Sequence, residues 1–114
     1  MTTESRPSQP SESVTFINVF EIAAEDVDAF AENWEQRAAI MSKKPGFIDT
    51  KLHRARAAEG RFQLVNVAHW ESQEAWEAAT ADPGFASRTD AARESKVTPA
   101  TPNTGLYDVV VQFP

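Results

Sequence analysis

The chain contains no cysteine, which excludes disulfides and thiolate metal sites. Histidine is nearly absent. His53 and His69 are the only two, too few for an ordinary zinc site without carboxylate help. There is no basic run, and 11 Lys and Arg against 17 Asp and Glu leave a net charge of −6. That balance argues against nucleic acid and anionic membrane surfaces as partners. No apolar run approaches the ~20 residues that span a bilayer. The N-terminus carries no apolar signal-peptide core, so a cytoplasmic location is the expectation. The 114 residues suit one domain with a modest core.

What is present divides the chain in two. Met1 to Ser13 is rich in Ser, Thr, Pro, Glu and Gln. With little to bury, it reads as a disordered tail. Residues 14–114 read as one folded domain. Val14 to Ile22 alternates as a strand, with Phe16, Asn18, Phe20 and Ile22 on one face. Val27, Phe30, Trp34, Ala38 and Met41 recur at helical spacing. They predict a helix from about Glu25 to Lys43, stopped by Pro45-Gly46. Phe47 to Arg56 and Arg61 to Trp70 read as a hairpin across Ala57-Ala58-Glu59-Gly60. Ser72 caps a short helix through Ala81, and Asp82-Pro83 opens another to about Glu94. Gly105 to Phe113 reads as the last strand. The order βαββαβ, with its second helix broken in two, predicts an α+β, ferredoxin-like antiparallel sheet with helices on one face.

Val65-Asn66-Val67-Ala68-His69-Trp70-Glu71-Ser72 is the most informative stretch. Alternation puts Asn66 and Trp70 on one strand face, with Phe62, Leu64 and Ala68. A buried amide there must be satisfied internally or by a ligand. Asn18 should share that cavity if the first and third strands are neighbours. His69 has the opposite parity and should face away from it. Both faces of the strands carry apolar residues: Ile17 and Val19 oppose Phe16 and Phe20, and Val65 and Val67 oppose Phe62 and Leu64. Helices can cover only one face, so a second copy of the sheet is the simplest cover for the other, which predicts a homodimer.

Phe16-Ile17-Asn18-Val19-Phe20, Lys44-Pro45-Gly46-Phe47 and Asn66-Val67-Ala68-His69-Trp70-Glu71-Ser72-Gln73-Glu74-Ala75-Trp76 together resemble the antibiotic biosynthesis monooxygenase superfamily. The resemblance covers about Val14 to Phe113. It implies dimeric α+β barrels with a pocket in each subunit between sheet and helices. In the cofactor-free anthrone and quinol oxygenases of that superfamily an Asn on the third strand precedes a Trp by four residues. Asn66 and Trp70 match both. A Tyr usual in the following helix is here Trp76, and an Arg of the next helix corresponds approximately to Arg88. The haem-degrading branch uses a first-strand Asn, matched by Asn18. Its Trp and His positions fall on Ala79 and Arg88, which leaves no proximal iron ligand.

These residues set the expectations. Asn66 and Trp70 are the candidate catalytic pair, with N–H groups aimed at a substrate oxyanion. Asn18, Trp34, Trp76 and Arg88 are candidate substrate-binding residues. Tyr107 and His53 are reserve candidates for proton transfer. Each has an ordinary alternative: the three tryptophans as core packing, the amides as partners of backbone groups, Arg88 as a solvated surface residue. The leading expectation is a cofactor-independent monooxygenase that acts with O2 on a flat phenolic, quinol or anthrone-like molecule. It uses no flavin, nicotinamide or metal. The alternatives are a non-catalytic dimeric binder of small aromatic ligands, and a haem-binding or haem-degrading protein.

Overall fold

A computed structural model describes residues 13–85 and 100–114. The strands are β1 (Val14–Glu21), β2 (Phe47–Arg54), β3 (Phe62–Trp70) and β4 (Thr104–Tyr107), with helices α1 (Val27–Met41) and α2 (Gln73–Thr80). The sheet is antiparallel in the order β2-β3-β1-β4. Its helices pack on one face, and the chain is α+β and ferredoxin-like. The tail expected over Met1 to Ser13 and the helix expected over Pro83 to Glu94 fall largely outside the described residues.

Local chemistry sets the element ends. Ala23 offers no side-chain acceptor, so the first helix opens as a 3-10 turn, Ala24–Asp26, closed by Asp26 N–H on Ala23 O at 3.0 Å. The α-helical part therefore starts at Val27, not Glu25. It stops at Met41, short of the expected Lys43, where Ser42 Oγ donates to Ala39 O at 2.8 Å. Ser72 caps α2 by accepting from Ala75 N–H at 3.0 Å. Asp82 accepts from the N–H groups of Gly84 and Phe85 at 2.8 and 3.1 Å and pairs with Lys44. The Lys44 ammonium and these N–H donors hold the Asp82 carboxyl below its ordinary range.

Two departures from the expected strands have plain causes. β2 ends at Arg54, before Arg56, because the buried Gln63 turns its amide into the hairpin loop. Its Nε2 donates to Ala57 O at 3.0 Å and Ala58 O at 3.3 Å, and also to Gly60 O. β4 ends at Tyr107, not Phe113, because Tyr107 already pairs with Thr15, one residue from the end of β1. Beyond it there is no strand left to pair with among the described residues. Val110 and Phe113 are 91% and 90% exposed.

The core is split. Phe20, Ile22, Val27, Phe30 and Leu64 form one buried cluster, and Val14, Ala68, Trp70 and Ala79 form another. The sheet row between them is Asn18 opposite Asn66. Phe62, expected on the same face, sits beyond a register shift opposite Glu21 and is 42% exposed under the Arg61 guanidinium.

Gly46 joins the sheet to α2. Its φ is +86°, and a Cβ there would lie 2.4 Å from Ala75 Cβ. Its carbonyl accepts from Glu71 N–H at 2.7 Å. Gly46→Ala combines left-handed backbone strain with overpacking and should cost about 2–4 kcal/mol. Denaturant unfolding measures this, and an unchanged midpoint would contradict the packing described.

Candidate active site

Between the split core and the helices lies a cavity of about 370 Å³, within the range of small-ligand sites, ~300–1,000 Å³. The sheet supplies its floor: Phe16, Asn18 and Phe20 from β1, Asn66, Ala68 and Trp70 from β3, and Phe47 and Thr50 from β2. The Phe30, Trp34, Arg37, Ala38 and Met41 face of α1 forms one wall, with Trp76 and Thr80 of α2 beside it. Phe16 and Trp76 lie with ring centroids 5.5 Å apart. Phe47 meets Trp70 edge-on at 5.2 Å, fixing an indole that is only 2% exposed. Slots between such rigid aromatic faces favour a flat apolar ligand.

The amides are held by their carbonyl ends. Thr50 Oγ1 donates to Asn66 Oδ1 at 2.6 Å, and Asn103 N–H donates to Asn18 Oδ1 at 3.1 Å. An amide whose carbonyl is engaged still has two N–H donors. Both anchored side chains line the cavity, so the floor offers donors more readily than acceptors. Asn66 itself is 7% exposed, so a donor left unmatched there is costly until a ligand accepts from it.

Arg37 is the sole ionisable residue among the cavity's described lining residues. Its Nε and Nη2 are buried, and its Cζ lies 5.4 Å from the Phe30 ring centroid. No carboxylate, imidazole, phenol or lysine lines the cavity among the described residues. His69 faces the opposite side of the sheet, as its parity predicts, with Nδ1 2.6 Å from Asp49 Oδ1. His53 is opposite Val65, and Tyr107 opposite Thr15, so the two reserve candidates for proton transfer share that outer side. They do not line the cavity.

Of the expected site residues, Asn18, Trp34, Asn66, Trp70 and Trp76 come together around this one cavity. Arg88 lies outside the described residues. The sequence reading missed Arg37 and Thr50. Arg37 is three residues after Trp34 and seven after Phe30, so helical counting alone puts it on the apolar face. Thr50 is found only through register: it pairs with Ala68, which places it diagonal to Asn66.

Comparison with known proteins identifies relatives of this chain. Residues 13–87 match the family model for antibiotic biosynthesis monooxygenase. A deoxynogalonate monooxygenase of Streptomyces nogalater is 31% identical over 83 residues, covering 73% of this chain and 68% of that protein. The crystal structure of SnoaB, a cofactor-independent oxygenase from Streptomyces nogalater, superposes with a TM-score of 0.74 at 30% identity, over 90% of this chain and 98% of that one. The haem-degrader MhuD of Mycobacterium tuberculosis, solved with two haems in its active site, superposes with a TM-score of 0.63 at 27% identity, over 89% and 99%.

Thr50→Val keeps the shape of the side chain and removes the donor to Asn66. It should destabilise the fold by about 1–3 kcal/mol by orphaning a buried carbonyl. It should also broaden or shift the Asn66 side-chain amide signals in an NMR spectrum. Unchanged stability and unchanged amide signals would show that Thr50 does not hold Asn66.

Proposed function

Because the chain belongs to the antibiotic biosynthesis monooxygenase family, we propose that its cavity binds a flat, electron-rich phenolic, quinol or anthrone-like molecule and oxidises it with O2 without a cofactor. The observation that carries this reading is Asn66. It is a buried amide with its carbonyl fixed by Thr50, beside Trp70 in an aromatic slot.

The chemistry follows from what such a slot can supply. An anthrone loses a proton from the ring CH2 that lies opposite its carbonyl, giving an enolate whose charge is delocalised through the aromatic rings onto the carbonyl oxygen. Asn66 Nδ2–H and Trp70 Nε1–H donate to its oxygen, which favours the anion in a site with little water. The enolate gives one electron to O2, and the resulting radical and superoxide combine at the former CH2 carbon. Protonation yields a hydroperoxide. Loss of water from it leaves a carbonyl, so one oxygen atom of O2 stays in the product and the other leaves as water. The described lining offers no carboxylate, imidazole or phenol that could take the proton, which suits a substrate acidic enough to lose it to water. Asn18 supplies a second amide in the same row, and Trp34 and Trp76 flank the ring system.

The similarity to MhuD raises haem as a second reading. It gains no support from the histidines, because His53 and His69 both sit on the outer side of the sheet. A non-catalytic binder of aromatic ligands would use the same slot without turnover.

A second copy of the chain covers the outer sheet face in this proposal. Ile17, Val19, Val65 and Val67 form its apolar centre, beside Tyr107 at 54% exposure. Sedimentation at micromolar concentration should give twice the 12.6 kDa of one chain, and a purely monomeric species would rule the dimer out.

Asn66→Ala and Trp70→Phe should each lower oxygen uptake with an anthrone or hydroquinone by on the order of 10-fold or more. Trp70→Phe preserves most of the ring packing and removes only the N–H donor. Wild-type turnover in both variants, on a substrate the parent oxidises, would make the pair structural. No uptake by the parent across a broad phenol and anthrone panel would favour the binder.

A further inference from the structure

We infer that Lys44 and Asp82 are positioning residues for the cavity. Their ion pair holds Phe85 in the cavity wall and so sets how readily a flat molecule enters and leaves. The inference takes the flat class of ligand from the proposed oxygenase reading and adds to it a control on exchange.

Neither residue lines the cavity, but Phe85 does. One carboxylate makes both connections that fix it. Asp82 Oδ1 accepts from the N–H groups of Gly84 and Phe85 at 2.8 and 3.1 Å, which sets the backbone that carries the Phe85 ring. Asp82 Oδ2 pairs with Lys44 Nζ. Lys44 in turn stands between two other lining residues. Its backbone N–H donates to Met41 O at 3.0 Å, and its carbonyl accepts from Phe47 N–H at 3.2 Å. Met41 and Phe47 line the cavity together with Phe85. The end of α1, the start of β2 and the segment after α2 are thereby referred to one lysine. The two side chains are 26% and 28% exposed, so water and salt screen the pair less than they would at an open surface. A wall segment held by few contacts opens locally, and more often as those contacts weaken. Without the lysine, Asp82 still caps its turn, but the turn loses its charge tie to α1.

The three tryptophans, Trp34, Trp70 and Trp76, all line the cavity, so their fluorescence reports access to it. Acrylamide quenching well below the melting temperature measures that access without a ligand. Stopped-flow quenching by 1-hydroxyanthraquinone measures exchange of a flat one. Lys44→Met removes the charge and keeps the stem, and Asp82→Asn keeps a capping oxygen and removes the charge. Each should raise the acrylamide quenching constant and speed dissociation of the anthraquinone about two- to five-fold. The double variant should be no faster than either single one, because both changes remove the same interaction. Lys44→Arg should stay near the wild type. Wild-type quenching and exchange in Lys44→Met, or effects that multiply in the double variant, would overturn the inference. A pair that serves stability alone would lower the melting temperature and leave the quenching constant unmoved, which also overturns it. Should Asp82→Asn fail to fold, the contrast between Lys44→Met and Lys44→Arg decides the matter. If 1-hydroxyanthraquinone binds no form of the protein, the flat-ligand reading fails, and acrylamide access alone decides this one.

Discussion

The cross-strand pair of Asn18 and Asn66 is the constraint on which the rest depends. On the same sheet face, Phe20 and Leu64 on one side of it belong to one core cluster, and Ala68 on the other side belongs to the second, with Phe16 packed against that one. The amides cannot join those clusters without leaving polar groups unpaired, at a cost of about 1–3 kcal/mol each. The helices therefore close over Phe20 and Leu64 on one side and over Ala68 and Trp70 on the other. They leave a space above the amides. The cavity is the price of a polar row in an otherwise apolar sheet, and the hydrogen bonds from Thr50 and Asn103 make that row rigid enough to serve as a donor platform.

Fold and site are coupled through the same contacts. Gly46 lets α2 approach the end of the sheet closely, which brings Trp76 over Phe16. Lys44 and Asp82 tie the end of α1 to the start of the next helical segment, so both helical walls are referred to one fixed point. Trp70 packs against Phe47, and its position follows from a strand that runs straight into the Ser72 cap. Gly46, Lys44, Ser72 and Asp82 need touch no ligand to determine the width of the slot.

Much of this was legible in the sequence. Period-two alternation in Phe16 to Ile22 and Leu64 to Trp70 placed the two asparagines and Trp70 on a common face. The Ser72 cap announced α2, and the parity of His69 put it on the far side of the sheet. What escaped depended on pairing between distant segments. Thr50 reaches Asn66 only through the β2–β3 register. Gln63 reads as one more polar strand residue until its amide is seen closing the hairpin loop. Arg37 sits at a helical position shared with Phe30 and Trp34, but a long cationic side chain on an apolar face is ordinarily assumed to reach out to solvent. The last strand was read too long because Val109, Val111 and Phe113 alternate well. Alternation cannot reveal that β1 has already run out of partners.

The central claim is that the amide and indole N–H groups of Asn66 and Trp70 receive the oxygen of a flat aromatic molecule. A crystal structure with a bound anthraquinone, the shape of an oxidised product, tests it most directly. The account predicts the ring system lying in the slot beside Trp34 and Trp76. One carbonyl oxygen should lie within about 3.2 Å of both Asn66 Nδ2 and Trp70 Nε1. A quinone bound elsewhere on the protein, or bound in the slot with its oxygens turned away from both donors, would contradict it.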